Sequence, residues 1–562
     1  MADTDRTSTA GAPLHVVVVG AGVAGLGTAL ALATSGQRVT LCERDATPMP
    51  GDPDAAFAWD RRGAPQVRHS HALLARLRNL LRDRHPEVLA ALLEAGATEM
   101  VFCDMMPPEI DDPTPQPGDE DLVALACRRT TFEWVLRRAV LEHPEVDLRV
   151  GLAVDGVIAT DGEDGRPVVT GVRATDADGR TDTIAADLVV AAAGRRSGAV
   201  RWLAELGVEP EVVEEDTGIV YLSRFYRLLD GATPPEQTGP IGADLGYLKY
   251  AIFQGDNRTH SVTFAVRTRD DELRSQLLDP SAFEVAAGLL PATAPWVDPA
   301  IATPITEVHV MGGLLNRHIR FRDEAGEPLV LGLVAVGDAH TCSNPLYGRG
   351  CSLAMVQAEL LADAVAGHGA DLHALVTAYE DASTTEIEPW YHAAVAQDRM
   401  ARDAAARERA RAERGQEPGT DPGADDEADP GSFMADVMRE GLLPAVRTDA
   451  VVFRAFIRAF NLLATPDALM ADADVLNRVM RAYQERDQRP PEPVLGPPRR
   501  DMLAALASCG RAPKAPRPAD PPARGSTGNS ALWVPAAERV LHLLSAGCSW
   551  RLDPNEPFGP PN

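Results

Sequence analysis

Val16-Val17-Val18-Val19-Gly20-Ala21-Gly22-Val23-Ala24-Gly25 decides how the chain begins to fold. Four β-branched residues in a row read as a buried strand, and three glycines at GxGxxG spacing read as the turn that follows it. Gly20 permits the sharp reversal, Gly22 lets a pyrophosphate approach the main chain, and Gly25 lets the next helix close on the sheet. Residues 26–35 continue as that helix, whose free N–H groups and positive dipole end lie at the turn. Gly36 stops it, and residues 38–42 alternate into a second strand ending at Glu43, where a carboxylate accepts hydrogen bonds from ribose hydroxyls. Strand, turn, helix, strand and acid together predict a dinucleotide site, with Val23, Ala24 and Arg44 among its contacts.

The chain of 562 residues is too long for one core and suggests about two to four units. A net charge of −28 excludes nucleic acid and anionic membrane surfaces as partners, because a polyanion would be repelled. Lysine occurs only as Lys249 and Lys514, so the basic groups are almost all arginines, suited to planar anion contacts. The seven cysteines form no CxxC pair and no metal-ligand spacing with histidine, which predicts reduced thiols, without disulfides or zinc. Residues 1–13 are polar and lack the features of a signal peptide. The apolar runs at 14–19 and 187–193 fall far short of the roughly eighteen residues of a membrane helix, so a soluble, cytoplasmic protein is expected.

Composition divides the rest. Residues 1–13 read as a disordered N-terminus and 14–209 as the first part of the dinucleotide domain. An inserted β-rich unit occupies 210–328, and 329–370 returns to the first domain through an apolar strand at 329–336. A helical region follows at 371–486, with one long charged helix at 377–414, an acidic linker at 415–431 and two or three helices over 432–484. Residues 487–562 read as a proline-rich tail, largely disordered, with one short helix at 535–545. The expected fold class is α/β: a Rossmann-like domain carrying an inserted mixed β-sheet and C-terminal helices.

Residues 331–355 read LGLVAVGDAHTCSNPLYGRGCSLAM, and the resemblance they carry implies that the dinucleotide is FAD. The segment resembles the Gly-Asp motif of flavoprotein hydroxylases of the p-hydroxybenzoate hydroxylase type. On that resemblance Asp338 holds the ribityl chain and Pro345 lies against the isoalloxazine ring. Gly348 and Gly350 bring main-chain N–H groups and a helix terminus toward its pyrimidine edge. Residues 66–74 (QVRHSHALL), 128–136 (RRTTFEWVL) and the helical region 466–476 resemble the FAD-dependent monooxygenases that include bacterial polyether epoxidases, a branch related to squalene epoxidases. The resemblance spans residues 14–486 and implies FAD contacts from Arg68, near the pyrophosphate, from Arg129, near the ribityl chain, and from Val154. His69 and His71 are read as packed side chains.

The family's GADGxxS motif is altered here. Ala191-Ala192-Ala193-Gly194-Arg195-Arg196-Ser197 puts Ala193 in place of the aspartate, while Val200-Arg201 is retained. Thr341 stands where the hydroxylases carry histidine, with His340 one place early, and Ser352 where they carry asparagine. The motif that departs helps to place NAD(P)H, so both a transient NAD(P)H donor and a separate flavin reductase stay open.

The resemblance implies a monooxygenase, an epoxidase or hydroxylase of secondary metabolism, that inserts one atom of O2 into an apolar small molecule through a flavin C4a-hydroperoxide. The cofactor carries the oxygen, so no catalytic side chain can be named from motifs. The cavity is expected between the inserted sheet and the ring, over residues 218–229, 248–253 and 308–317, with Tyr221, Phe225, Tyr226 and Tyr250 as its wall. The alternatives are a reductase resembling geranylgeranyl reductases and a non-catalytic flavin scaffold. A halogenase would need an active-site lysine and a WxWxIP segment, and no lysine lies between Arg44 and Arg201.

Overall fold

The structure, a computed structural model, describes residues 12–61, 63–235, 242–413, 430–489 and 494–509. Most of the acidic linker and the short helix at 535–545 lie outside the described residues.

The apolar runs form a five-stranded parallel sheet in the order Leu333–Ala335, Leu188–Ala191, His15–Val19, Arg38–Glu43, Val146–Val150. The first strand lies at its centre, so Val16, Val17 and Val18 are fully enclosed, as befits a parallel sheet covered on both faces. Helices Val23–Thr34 and Gly350–His368 pack closely because Gly27 of the first leaves a notch for Met355 of the second; a Cβ on Gly27 would run into the Met355 sulfur. A three-stranded antiparallel sheet, Leu152–Asp161, Pro167–Asp176 and Thr181–Ala185, is appended. Two of its hairpin turns use Gly165 and Gly179 at φ 79° and 81°, conformations that suit glycine.

The inserted region forms an antiparallel sheet with Ile219–Leu228 and Thr259–Arg267 paired near its centre. Alternation along Ile219–Leu228 sends Leu222 and Tyr226 to one face and Tyr221, Ser223 and Phe225 to the other. The first face is covered by helices Pro280–Gly288 and Arg499–Cys509, with Phe264, Phe283, Tyr250, Met502 and Leu506 in one apolar cluster. Helix Arg499–Cys509 is a departure from the expectation of an unstructured tail. Buried Met502 and Leu506, and an ion pair from Arg499 to Asp270 at 2.7 Å, tie it to the inserted sheet.

The expected long helix at 377–414 is two helices, Leu372–Glu386 and Glu388–Glu413, broken at Ile387. Pro389 lacks an N–H and its ring clashes with the preceding turn, so it is accommodated only at a helix start. The strand expected at 329–336 is confined to Leu333–Ala335. Beyond residue 430 the helices are shorter and more numerous than expected, and Met438–Leu442 forms a π-helical turn between two of them. No described helix is long and apolar enough to cross a membrane.

Candidate cofactor site

Gly20 has φ 105°, and a Cβ there would lie 2.8 Å from the Ala193 Cα. A Cβ on Gly25 would strike the Gly20 carbonyl oxygen. Both glycines are therefore required by the protein's own packing. Gly22 is different: its φ of −82° suits any residue, and a Cβ would meet nothing within 4 Å. The fold does not demand glycine there, whereas a pyrophosphate laid against the turn would.

Glu43 ends the second strand with each carboxylate oxygen taking one main-chain N–H, from Ala21 at 3.0 Å and Asp45 at 2.8 Å. A carboxylate accepts about four hydrogen bonds, so capacity is left for a ribose. Beside it lies Arg61, which donates to the Ala21 carbonyl at 3.0 Å and to Glu133 at 2.7 Å. Burial opposes the Arg61 charge, but Glu133, Glu43 and Asp45 outweigh it and hold its pKa above the ordinary value. Arg61 is the arginine at the glycine turn, where Arg68 was expected. Arg68 is more than half exposed and pairs with Asp60 at 3.3 Å, beside His309. Arg44 is exposed next to Glu43, and Val154 packs half-buried in the appended sheet at a β-bulge.

Three side chains of helix Arg129–Glu142 stand one turn apart: Arg129, Glu133 and Arg137. Each keeps a buried polar atom without a hydrogen-bond partner among the described residues: Arg129 Nε, Glu133 Oε2, which Arg129 approaches only to 3.5 Å, and Arg137 Nη1. A helix face that carries charge yet leaves donors and acceptors unmet suits a polar ligand lying along it.

At the far end of that face, Arg129 comes within 3.6 Å of the Cys351 sulfur and acts on Asp338. Burial raises the pKa of Asp338, while Arg129 and Arg195 pull against it. The motif is held in place by Gln357, which accepts the Gly337 N–H at 2.8 Å, and by Gly337 itself, whose Cβ would be 2.7 Å from that of Ala24. The Asp338 segment and the opening glycine turn are thus in direct contact. Ala193, where an aspartate was expected, offers no side-chain acceptor; its main chain backs Gly20, and Arg195 occupies the surroundings of Asp338 instead.

Pro345 begins a 3-10 turn capped by Asn344. Gly348 follows at φ 66°, where a Cβ would stand 2.9 Å from that of Ala72. Gly350 starts helix Gly350–His368, and a Cβ on it would meet nothing within 4 Å, so it repeats the behaviour of Gly22. Asn344 in turn donates to Asp398 at 2.8 Å, and Asp398 accepts from Asn316 at 2.6 Å and from Tyr347 at 3.2 Å. Burial raises the pKa of Asp398 despite these three donors.

Residues 69–71 lie on the open face of the inserted sheet. His69 Nδ1 is 3.1 Å from the Ser223 hydroxyl, and Ser70 bonds to Ser261 and Thr263 at 2.7 and 2.6 Å. His71 Nδ1 donates to the His69 carbonyl at 2.9 Å. Burial lowers His69 to about 4 and His71, next to Arg129, to about 3, so both rings are neutral at physiological pH. Of the four aromatic residues expected to form the cavity wall, Tyr226 and Tyr250 face away. Strand alternation sinks them in the cluster beneath the sheet, where Tyr226 bonds to Glu284 and Tyr250 to the Leu495 carbonyl. Tyr221 packs with Ala265, Leu314, Met311 and Leu346 beside Pro345, and Phe225 meets Phe57 edge-on. Arg61, Arg195, Gln357 and Asp398 were not singled out in the sequence; an arginine just beyond a 3-10 turn or one helix over carries no local signal.

The Pyridine nucleotide-disulphide oxidoreductase family model matches residues 15–62, which hold the glycine turn, Glu43 and Arg61. Protein Rv3254 of Mycobacterium tuberculosis is 30% identical over 370 residues, covering 61% of this chain and 71% of that protein. The chain belongs to the family of Rv3254. Among solved structures, PqsL of Pseudomonas aeruginosa, a probable FAD-dependent monooxygenase, is 16% identical, with a TM-score of 0.51 over 70% of this chain and 98% of that one. PqsL in complex with 2-aminobenzoylacetate superposes with a TM-score of 0.50 at the same identity and coverage. This member of the Rv3254 family therefore has the fold of an FAD-dependent monooxygenase.

Proposed function

We propose that the protein is an FAD-dependent monooxygenase that places one oxygen atom from O2 on an apolar small molecule, by epoxidation or hydroxylation. The observation that carries the reading is the meeting of two glycine-rich segments, with Gly337 against Ala24 and open space at both Gly22 and Gly350. FAD, when bound, supplies the two-electron and oxygen chemistry. The chain's own part is to hold and to shield. Glu43 and the turn would grip the nucleotide half, Asp338 and Arg129 the ribityl chain, and Pro345 would back the ring. Tyr221, Leu314, Met311 and Leu346 supply the apolar wall beside Pro345, which favours an apolar substrate and keeps water from the reacting atoms.

The purified protein, titrated anaerobically with NADH and NADPH, is expected to show a flavin absorbance spectrum that bleaches with one donor, or with a separate flavin reductase. Labelled oxygen from O2 then appears in the product of an apolar alkene or aromatic substrate. Protein that stays colourless after incubation with FAD would refute the cofactor; coloured protein that turns over only without oxygen would point to a reductase.

A further inference from the structure

Arg349 is 1% exposed, and its Nε, Nη1 and Nη2 all lack a hydrogen-bond partner among the described residues. Four other buried arginines face an acid: Arg61 faces Glu133 at 2.7 Å, Arg128 faces Asp256 at 2.5 Å, Arg129 faces Glu133 at 3.5 Å and Arg454 faces Asp119 at 2.9 Å; Arg137, without an ion pair, still lies in the field of Glu43, Glu133 and Asp45. Arg349 has only two ring faces, Trp390 at 4.5 Å and Tyr347 at 5.1 Å from the guanidinium carbon. Such contacts offset part of the cost of burying a cation and leave its field unneutralised. Burial lowers Arg349 to about 9, so it stays positive at neutral pH.

Its place in the chain decides where that field falls. Arg349 stands between Gly348 and Gly350, at the N-terminus of helix Gly350–His368. The N–H groups and dipole of that terminus point the same sign of charge at the open space beside Gly350. No ligand can touch the enclosed guanidinium, so any effect on a group outside is through space, in surroundings that screen it little.

We propose that Arg349 is a buried counter-charge that favours the reduced flavin over the oxidised one, a positioning of charge that sets the reduction potential. The proposal rests on FAD being the cofactor. Two-electron reduction adds two electrons from the reductant and one proton from solvent to a neutral ring and leaves one negative charge, which the cation stabilises. In R349M that stabilisation is lost.

The test uses the full chain loaded with FAD and reduced anaerobically with dithionite against a reference dye. R349M is expected to shift the oxidised-to-reduced ratio at fixed potential at least about tenfold toward oxidised, about 30 mV for a two-electron couple. The shift should persist in high salt, because an enclosed charge is poorly screened. Equal potentials in wild type and R349M, both binding FAD, would overturn the proposal. A wild type that binds no FAD would instead defeat the cofactor reading. If R349M does not fold, R349Q, uncharged and of similar reach, is measured in its place, and the wild type is read for proton uptake. Between neutral and mildly acidic pH it should take up one proton per two electrons, fewer than free FAD in the same buffer, and uptake of two would also overturn the proposal.

Discussion

Gly22 and Gly25 stand three residues apart in one motif and answer to different constraints. A Cβ on Gly25 meets the Gly20 carbonyl oxygen, whereas one on Gly22 meets nothing. Gly22→Ala is therefore expected to keep the melting temperature and to weaken FAD binding at least tenfold, about 1.4 kcal/mol, read by flavin fluorescence titration. Gly25→Ala should lower the melting temperature before any cofactor is added. The spacing alone made all three glycines visible in the sequence, although the contact that confines Gly20 comes from distant Ala193. Arg61 escaped, since nothing nearby marks it; only folding brings it to Ala21 and Glu133. Tyr226 and Tyr250 failed for another reason. An aromatic residue on a strand declares that it is buried, and not on which side, until the partner of each face is known.

Among the elements, the parallel sheet and its helices were readable from apolar runs and glycine stops, because strand and helix periods repeat within a few residues. Helix Arg499–Cys509 was not. Five prolines between residues 490 and 498 dominate the local pattern, and the surface that orders the helix belongs to a sheet more than two hundred residues earlier. Met502 is fully buried in that contact. Met502→Ala is expected to cost about 2 kcal/mol or more, read in denaturant melts, and to loosen the inserted sheet while leaving the glycine turn intact.

At the scale of the molecule, the insertion is fastened by one enclosed carboxylate. Asp256, in the turn between two strands of the inserted sheet, accepts from the Arg128 main-chain N–H at 2.7 Å, from its guanidinium at 2.5 Å and from the Thr131 hydroxyl at 2.8 Å. Burial alone would raise its pKa; Arg128 and Thr131 more than offset this and hold it below the ordinary carboxylate range. A lowered folded-state pKa means that the contribution to stability is complete above the unfolded value, about 3.9, and is lost as pH falls through the lower folded value. Asp256→Ala leaves buried Arg128 with only the Asp54 contact at 3.3 Å, a loss of about 3 kcal/mol. It should also flatten the acid limb of the stability profile measured by thermal melts across pH. Composition set off the β-rich stretch that holds Asp256, while this fastening carried no local signal, because Asp256 and Arg128 lie 128 residues apart.

Arg128 and Arg129 are neighbours that face opposite ways, one toward Asp256 and the other toward Asp338. A single peptide unit thus joins the anchor of one lobe to the grip of the other, with no slack between them. Grafting the inserted sheet from a distant homologue would succeed only if the donor brought an acid matching Asp256, and a mismatched chimera would lose its colour along with its specificity.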